Sequence, residues 1–272
     1  MQLPSIEKIV APVDGSEVCV RALPWVLTLA QLSGASVDLV GVVADLNSRD
    51  ENSAMRSHLA EASVELLRIA PRVTEIVEYG SSANFIVDHA ARTNADLIVM
   101  GSHARSRLMR RLLGSVTAEV LRKSTTPVMV TKPHHSAYFI DRVVVSLDGT
   151  ELGAGALHYA CELARLASVS LEVLHVAESL NDLDEQNQLA RITAELTDIP
   201  VEYEVVIESG TARARLATCI DQIPGSVLVM GSAGATGYGP NRRGSVASRV
   251  IENSDSPTLV VPPTKYLGNV IE

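Results

Sequence analysis

The chain contains two copies of one sequence unit, and this internal repeat limits the fold more than any other feature. The stretch KIVAPVDGSEVCVRALPWVLTLAQLSGASVDLVGVV matches RVVVSLDGTELGAGALHYACELARLASVSLEVLHVA, in which Asp148 stands 134 positions after Asp14. Near the ends of the copies Gly231 follows Gly101 by 130 positions, so the second copy is about four residues shorter. We expect the missing residues between the second and third strands. Units of about 135 residues have the usual size of a domain.

The repeat predicts two domains joined by a short linker. We expect the first domain at residues 1–133, the second at 139–272, and the linker at 134–138, within the short polar sequence KPHHSAY. In the first copy, strands are predicted at IEKIVAPV, SVDLVGVV, RVTEIVEY, DLIVMG and PVMVTK, with helices at 17–33, 51–70, 82–93 and 115–124. The second copy repeats the strands near 141–147, 169–177, 200–208, 226–230 and 257–261. Alternating strands and helices, with strands rich in Val, Ile and Leu, predict an α/β fold with parallel open sheets and helices on both faces.

Charge and hydropathy exclude several classes of protein. The formal net charge is −9, which disfavours general binding to nucleic acid or to an anionic membrane. No apolar run approaches the roughly 20 residues that span a bilayer. The start of the chain, MQLPSIEKIVAPVDGS, lacks the pattern of a secretion signal. Three scattered cysteines indicate reduced thiols rather than a disulfide framework, so we expect a cytoplasmic protein.

A glycine-rich loop points to an anionic ligand. The stretch VMGSAGATGYGPNRRGSV, from Val229 to Val246, leaves a strand and enters a helix at Gly244 and Ser245. At a helix N-terminus, backbone N–H groups and the helix dipole favour an anion such as phosphate. The spacing matches neither the P-loop nor the dinucleotide fingerprint, and a plain connector stays open as an alternative. The first copy has the related loop VMGSHARSRLMRRLLGSV.

An acidic residue follows the first strand of each copy. These strands end in Asp14-Gly15-Ser16 and in Asp148-Gly149-Thr150. In open α/β sheets, ligands bind beyond the carboxyl ends of the strands, where the winding reverses. If the first and fourth strands are neighbours there, the aspartate and the loop face one crevice.

These residues resemble the universal stress proteins. The resemblance rests on the pattern Gly231-x2-Gly234-x9-Gly244-Ser245, on the aspartate after the first strand and on Pro257 before the last, and it covers both copies. It implies two Rossmann-like domains, each with a five-stranded parallel sheet in the order 3-2-1-4-5. It also implies that ATP is the ligand.

The resemblance assigns ligand contacts residue by residue. In the second domain the expected contacts, to which we add two arginines for the phosphates, are Leu147, Asp148, Val176, Gly231, Gly234, Arg242, Arg243, Gly244, Ser245 and Val246. In the first domain they are Val13, Asp14, Val42, Gly101, Gly114, Ser115 and Val116. Ala104 replaces the second glycine in the first copy, so we expect the second site to be the better one. Asp14 and Asp148 are expected to accept from ribose rather than to bind a metal.

The expected function is regulatory. The sequence has two anion-binding loops but no assembled catalytic set. This combination favours a protein that binds ATP, with Mg²⁺ bridging the phosphates, and that responds to stress through its nucleotide occupancy. The alternatives are a slow ATPase, with Ser245, Asp148 or His103 as the candidate groups, and an interaction module in which one or both sites are lost. The resemblance further implies that the last strands of the two halves pair within one chain, as a pseudo-dimer. Homodimerisation through another surface stays open.

Overall fold

The computed structural model describes residues 3–45, 48–102, 113–132, 138–149, 151–177, 183–221, 223–232 and 246–263. The chain divides into two compact units, and the boundary falls between Tyr138 and Phe139. Most of the predicted linker, and the Arg-rich and Gly-rich loops, lie outside the described residues. Within the described part, no helix is both long enough and apolar enough to cross a membrane.

The first unit has five strands and four helices in alternation. They are β1 (Lys8–Val13), α1 (Glu17–Ser33), β2 (Ser36–Val43), α2 (Arg49–Leu66), β3 (Val73–Tyr79), α3 (Ser82–Arg92), β4 (Leu97–Gly101), α4 (Ser115–Lys123) and β5 (Val128–Thr131). All paired strands are parallel, in the order β3-β2-β1-β4-β5. This confirms the order implied by the resemblance, and it places β1 beside β4 at the point where the winding reverses.

The second unit repeats this arrangement. Its elements are β6 (Arg142–Ser146), α5 (Glu151–Ala167), β7 (Leu171–Ala177), α6 (Leu183–Glu195), β8 (Tyr203–Ser209), α7 (Ala212–Ile220), β9 (Ser226–Gly231), α8 (Val246–Asn253) and β10 (Thr258–Val261). The strand order is β8-β7-β6-β9-β10. In the first unit Val37 of β2 pairs with Val73 of β3, and in the second unit Leu171 of β7 pairs with Tyr203 of β8. Leu171 stands 134 positions after Val37, whereas Tyr203 stands only 130 positions after Val73. The four missing residues therefore lie between the second and third strands, as predicted.

The first helix of the first unit shows how sequence builds the core. Ser16 accepts from the N–H of Cys19 and begins α1, and Gly34, at φ 72°, ends it in the left-handed conformation that favours glycine. Trp25, the only tryptophan of the chain, is fully buried on the inner face of α1. Its ring meets the edge of the Tyr138 ring with centroids 6.3 Å apart. The inner strands β2 and β7 are buried at nearly all successive positions, so both faces of the sheet are covered there, whereas the edge strands β3 and β8 are partly exposed.

A buried polar junction joins sheet to helix in the first unit. The side chain of Asp38 on β2 accepts from the Nε2–H of His89 on α3 at 2.9 Å, and both side chains are buried. The Nζ atom of Lys8 lies 3.5 Å from the same carboxylate oxygen, and the Phe85 ring stacks on the imidazole. Because a buried carboxylate without partners is costly, this junction holds α3 in one position on the sheet.

The second unit builds the equivalent junction from other residues. Arg142 on β6 stands where Lys8 stands, Glu172 on β7 replaces Asp38, and Cys219 on α7 replaces His89. The Arg142 guanidinium donates directly to the buried Glu172 carboxylate. The second unit thus keeps a cation on the first strand beside the buried carboxylate and replaces the imidazole on the helix by a thiol.

Candidate functional site

A pocket of about 400 Å³ opens at the carboxyl end of the first unit's sheet. Its walls come from the ends of β1, β2 and β4 and from the starts of α1, α3 and α4. This is the crevice expected where β1 and β4 part, because their following connections leave on opposite faces. The volume falls within the range typical of small-molecule sites.

The pocket wall at the end of β1 is a tight turn stabilised by its own side chains. Oδ1 of Asp14 accepts from the backbone N–H of Ser16 at 2.9 Å and from its hydroxyl at 2.6 Å. The Ser16 hydroxyl oxygen accepts in turn from the N–H of Cys19 at 3.3 Å. The Asp14 carboxylate is thereby fixed at the exposed mouth of the pocket, with its orientation set by the helix cap.

Gly101 allows β4 and α1 to approach each other closely across the pocket floor. A Cβ atom at this position would lie 2.7 Å from the carbonyl oxygen of Val18 and 2.8 Å from its Cγ1 atom. The hydroxyl of Thr117 donates to the carbonyl of Gly101 at 3.3 Å and connects α4 to the end of the same strand. The glycine therefore serves close packing of the backbone at this point.

The N-terminus of α4 faces the pocket. Gly114 is the N-cap residue, and Gly114, Ser115, Val116 and Thr117 all line the cavity. The first N–H groups of a helix have no partner inside the helix, and a glycine cap offers no side-chain oxygen to accept from them. These N–H groups, the helix dipole and the exposed Ser115 hydroxyl together suit an anion.

Part of the pocket lining is apolar. It is formed by Val40, Val42, Ile86, Met100 and Cys19. Burial raises the pKa of the Cys19 thiol to about 11, and its S–H donates to the carbonyl of Pro12 at 3.2 Å. The thiol is thus a neutral wall group at ordinary pH, and this side of the pocket suits a flat apolar ring.

All seven residues predicted for the first site line this pocket. They are Val13, Asp14, Val42, Gly101, Gly114, Ser115 and Val116. They come from β1, β2, β4 and the start of α4, so the fold brings together positions more than 100 residues apart in sequence. Ala104 and the surrounding arginines of this loop lie outside the described residues.

The second unit shows part of the equivalent arrangement. Gly149 has φ 68°, and Asp148 is exposed at the end of β6 beside the buried Leu147. The Nδ1–H of His175 donates to the carbonyl of Leu147 at 2.9 Å, which fixes the backbone just before Asp148. Val176 is the last residue but one of β7, Gly231 ends β9, and Val246 begins α8. The other predicted residues, Gly234, Arg242, Arg243, Gly244 and Ser245, lie outside the described residues.

Several pocket residues were not among the sequence predictions. Ser82 and Ile86 enter from α3, and Val18 and Cys19 enter from α1. Two signals point to them in hindsight. Helix α3 follows β3 after a short turn, so its start must lie at the same edge of the sheet, and Cys19 lies one turn beyond the cap residue Ser16.

These features define a tandem of two doubly wound α/β units, at least one of which has a pocket at its switch point. The family model of the universal stress protein family matches residues 5–132 and again residues 140–262. The chain belongs to the universal stress protein family.

Individual relatives agree with this assignment. A universal stress protein of Mycolicibacterium smegmatis is 26% identical, and the match covers 94% of this chain and 97% of the relative. Universal stress protein MJ0531 of Methanocaldococcus jannaschii is 34% identical over 46% of this chain and 82% of its own length. The crystal structure of a universal stress protein from Archaeoglobus fulgidus matches with a TM-score of 0.78 at 24% identity, covering 95% of this chain and 97% of that one. The tandem fold is thus shared over nearly the full length.

Proposed function

We propose that this chain is a nucleotide-dependent regulatory protein of the stress response and that its first unit binds ATP. The observation that carries the proposal is the pocket itself. Seven residues named from the sequence for adenosine and phosphate contacts lie around one cavity of about 400 Å³. The cavity has an apolar side, an acidic mouth and a helix N-terminus, which are the three surfaces that base, ribose and phosphate require.

Each part of ATP has a matching wall. Val42 and Ile86 offer an apolar surface to the adenine ring, and the exposed Asp14 carboxylate is suited to accept hydrogen bonds from ribose hydroxyls. The first N–H groups of α4 and the Ser115 hydroxyl are suited to the phosphates. Within the described ranges no three His, Cys, Asp or Glu side chains cluster as metal ligands. We propose that a bound Mg²⁺ is held mainly by phosphate oxygens and water, with at most one or two carboxylates, as is usual for this ion.

We propose a second ATP site in the second unit. Asp148 and His175 support it from the described residues, and Gly234, Arg242, Arg243, Gly244 and Ser245 support it from the sequence. A cytoplasmic location, pairing of the two halves and homodimerisation stay predictions.

Counting nucleotides per chain tests the proposal. Native mass spectrometry of the purified chain, before and after addition of ATP and Mg²⁺, is expected to show one or two ATP molecules per chain. Asp14→Ala is expected to remove one of them, and calorimetric titration gives the affinity of the remaining site. A wild-type chain that binds no ATP at millimolar concentration would refute the proposal. Phosphate release in the same samples separates a regulatory binder from the alternative, a slow ATPase.

A further inference from the structure

The ring of His58 on α2 lies directly behind the pocket turn. A Cβ atom placed on Gly15 would lie 2.4 Å from both Cδ2 and Nε2 of His58, and 3.0 Å from its Cε1. The edge of the imidazole therefore touches the backbone at Gly15, which holds φ 74° between Asp14 and Ser16. Neither His58 nor Gly15 lines the pocket, whereas Asp14 and Ser16 both do.

The second unit places a residue at the same point. Gln188 on α6 lies 130 positions after His58, the offset expected after the four-residue deletion. A Cβ atom on Gly149 would lie 3.0 Å from the Cα atom and from the carbonyl oxygen of Gln188. In the second unit the helix backbone itself touches the turn, whereas in the first unit the imidazole spans the space between α2 and the turn. Support from behind the turn is thus common to both units and is built in two ways.

The turn in the first unit is consequently held from two sides. Ser16 ties the Asp14 carboxylate to the start of α1, and the His58 ring packs against the Gly15 backbone from outside the pocket lining, which restricts movement of that backbone. A glycine at positive φ is otherwise free to change conformation. Such a change would rotate Asp14, because the two residues share a peptide unit.

We propose that His58 is a positioning residue for ribose recognition in the first unit. It acts through Gly15 by keeping the Asp14 carboxylate at the place where it accepts from a ribose hydroxyl. The inference rests on the proposed function, since it concerns the same pocket. It assigns to α2 a part in ligand selection although this helix supplies no wall of the cavity.

The test compares ribose with deoxyribose ligands. All variants carry Asp148→Ala in the full chain, so that binding is measured at the first unit, and affinities for ATP and for 2′-deoxy-ATP and 3′-deoxy-ATP are obtained by calorimetry. With His58 present, the weaker deoxy ligand is expected to bind at least about tenfold less tightly than ATP, as for loss of one charge-assisted hydrogen bond. His58→Ala is expected to reduce that ratio below about threefold, while His58→Gln, whose side chain reaches about as far as the imidazole, keeps it within about twofold of the original value.

The ratio separates positioning from stability. A general loss of folding weakens all three ligands together and leaves the ratio unchanged, and Trp25 fluorescence monitors folding of the first unit in every variant. The inference would be overturned if His58→Ala left the ratio of ATP affinity to deoxy-ligand affinity unchanged. It would also be overturned if the Asp148→Ala chain with His58 present bound ATP and both deoxy ligands equally. If the wild-type chain binds no ATP, the proposed function itself fails, which is a different result.

Discussion

Replacing Gly101 by alanine tests how tightly the pocket floor is packed. Gly101 lies outside the left-handed region, so alanine can adopt its backbone conformation and the effect of the new methyl group is steric. The added carbon would lie 2.7 Å from the Val18 carbonyl oxygen, whereas close C···O contacts between backbones are about 3.3–3.6 Å. The start of α1 must therefore move by about 0.6 Å or more. Because this is backbone inside a capped helix, a side-chain rotation cannot relieve the contact.

The expected cost follows from two opposing effects. Overpacking of a well-filled site destabilises by about 1–3 kcal/mol. A Gly→Ala change at a compatible conformation stabilises by about 0.4–1 kcal/mol through the unfolded chain. We therefore expect a net loss of about 1–2 kcal/mol in the free energy of unfolding of the first unit. The shift of α1 also displaces Ser16 and Asp14, so ATP affinity at this site should fall by about tenfold or more.

Urea denaturation followed by Trp25 fluorescence measures this cost directly, since the only tryptophan is buried in the first unit. Gly41→Ala in β2, in the same unit, is the matched control. There the new carbon would lie 2.4 Å from the Sδ atom and 2.5 Å from the Cγ atom of Met55, a flexible side chain that can rotate away, so we expect a smaller loss of stability than for Gly101→Ala. If Gly101→Ala is as stable as wild type and binds ATP equally well, the inference that β4 and α1 pack rigidly against each other is wrong.

Three further predictions concern buried groups. Burial raises the pKa of the Cys19 thiol from 9.0 to about 11, so the unfolded chain ionises first. The free energy of unfolding of the first unit should therefore fall as the pH rises from about 9 to 11. The fall in wild type should exceed that in Cys19→Ala by about 2–3 kcal/mol, and an equal fall in both proteins would refute this. His89→Ala should destabilise this unit by about 3 kcal/mol, because Asp38 loses its buried imidazole partner. Replacing both Asp38 and His89 by leucine should recover part of this loss, as urea denaturation of the single and double variants would show. At neutral pH an alkylating reagent should modify the half-buried Cys219 before Cys19 and Cys161, as peptide mass spectrometry would show; faster reaction at either buried thiol contradicts the structure.

Much of the fold follows from local sequence. The strands are short runs of Val, Ile and Leu, the helices begin at residues such as Ser16 and end at Gly34, and the repeat shows each signal twice. Parallel strands end at one edge of the sheet, so the residues that follow them were candidates for the site. That Asp14 and Gly101 share one crevice followed only with the strand order that the resemblance to the universal stress proteins implies.

The remaining contacts depend on how helices rotate on the sheet. His58 meets Gly15 only because α2 presents that side chain to the turn, and Asp38 meets His89 across 51 residues of sequence. Neither pair leaves a local pattern, since an isolated histidine on a helix is compatible with many environments. Tertiary packing decides such contacts, and the sequence periodicity specifies only the helix face.

The two polar junctions have a consequence for folding of the chain. Neighbouring copies of one fold can misassemble by exchanging strands during synthesis. Were β2 inserted in place of β7, Asp38 would meet Arg142 but would find Cys219 in place of the imidazole. Were β7 inserted in place of β2, the longer Glu172 would meet Lys8 and His89 in place of Arg142. Each exchange would keep a cation near the buried carboxylate but would lose the hydrogen-bond geometry of the native pair, and a buried pair with poor geometry repays less of its desolvation cost. Differences at a few buried positions thus favour the native pairing of strands within each half.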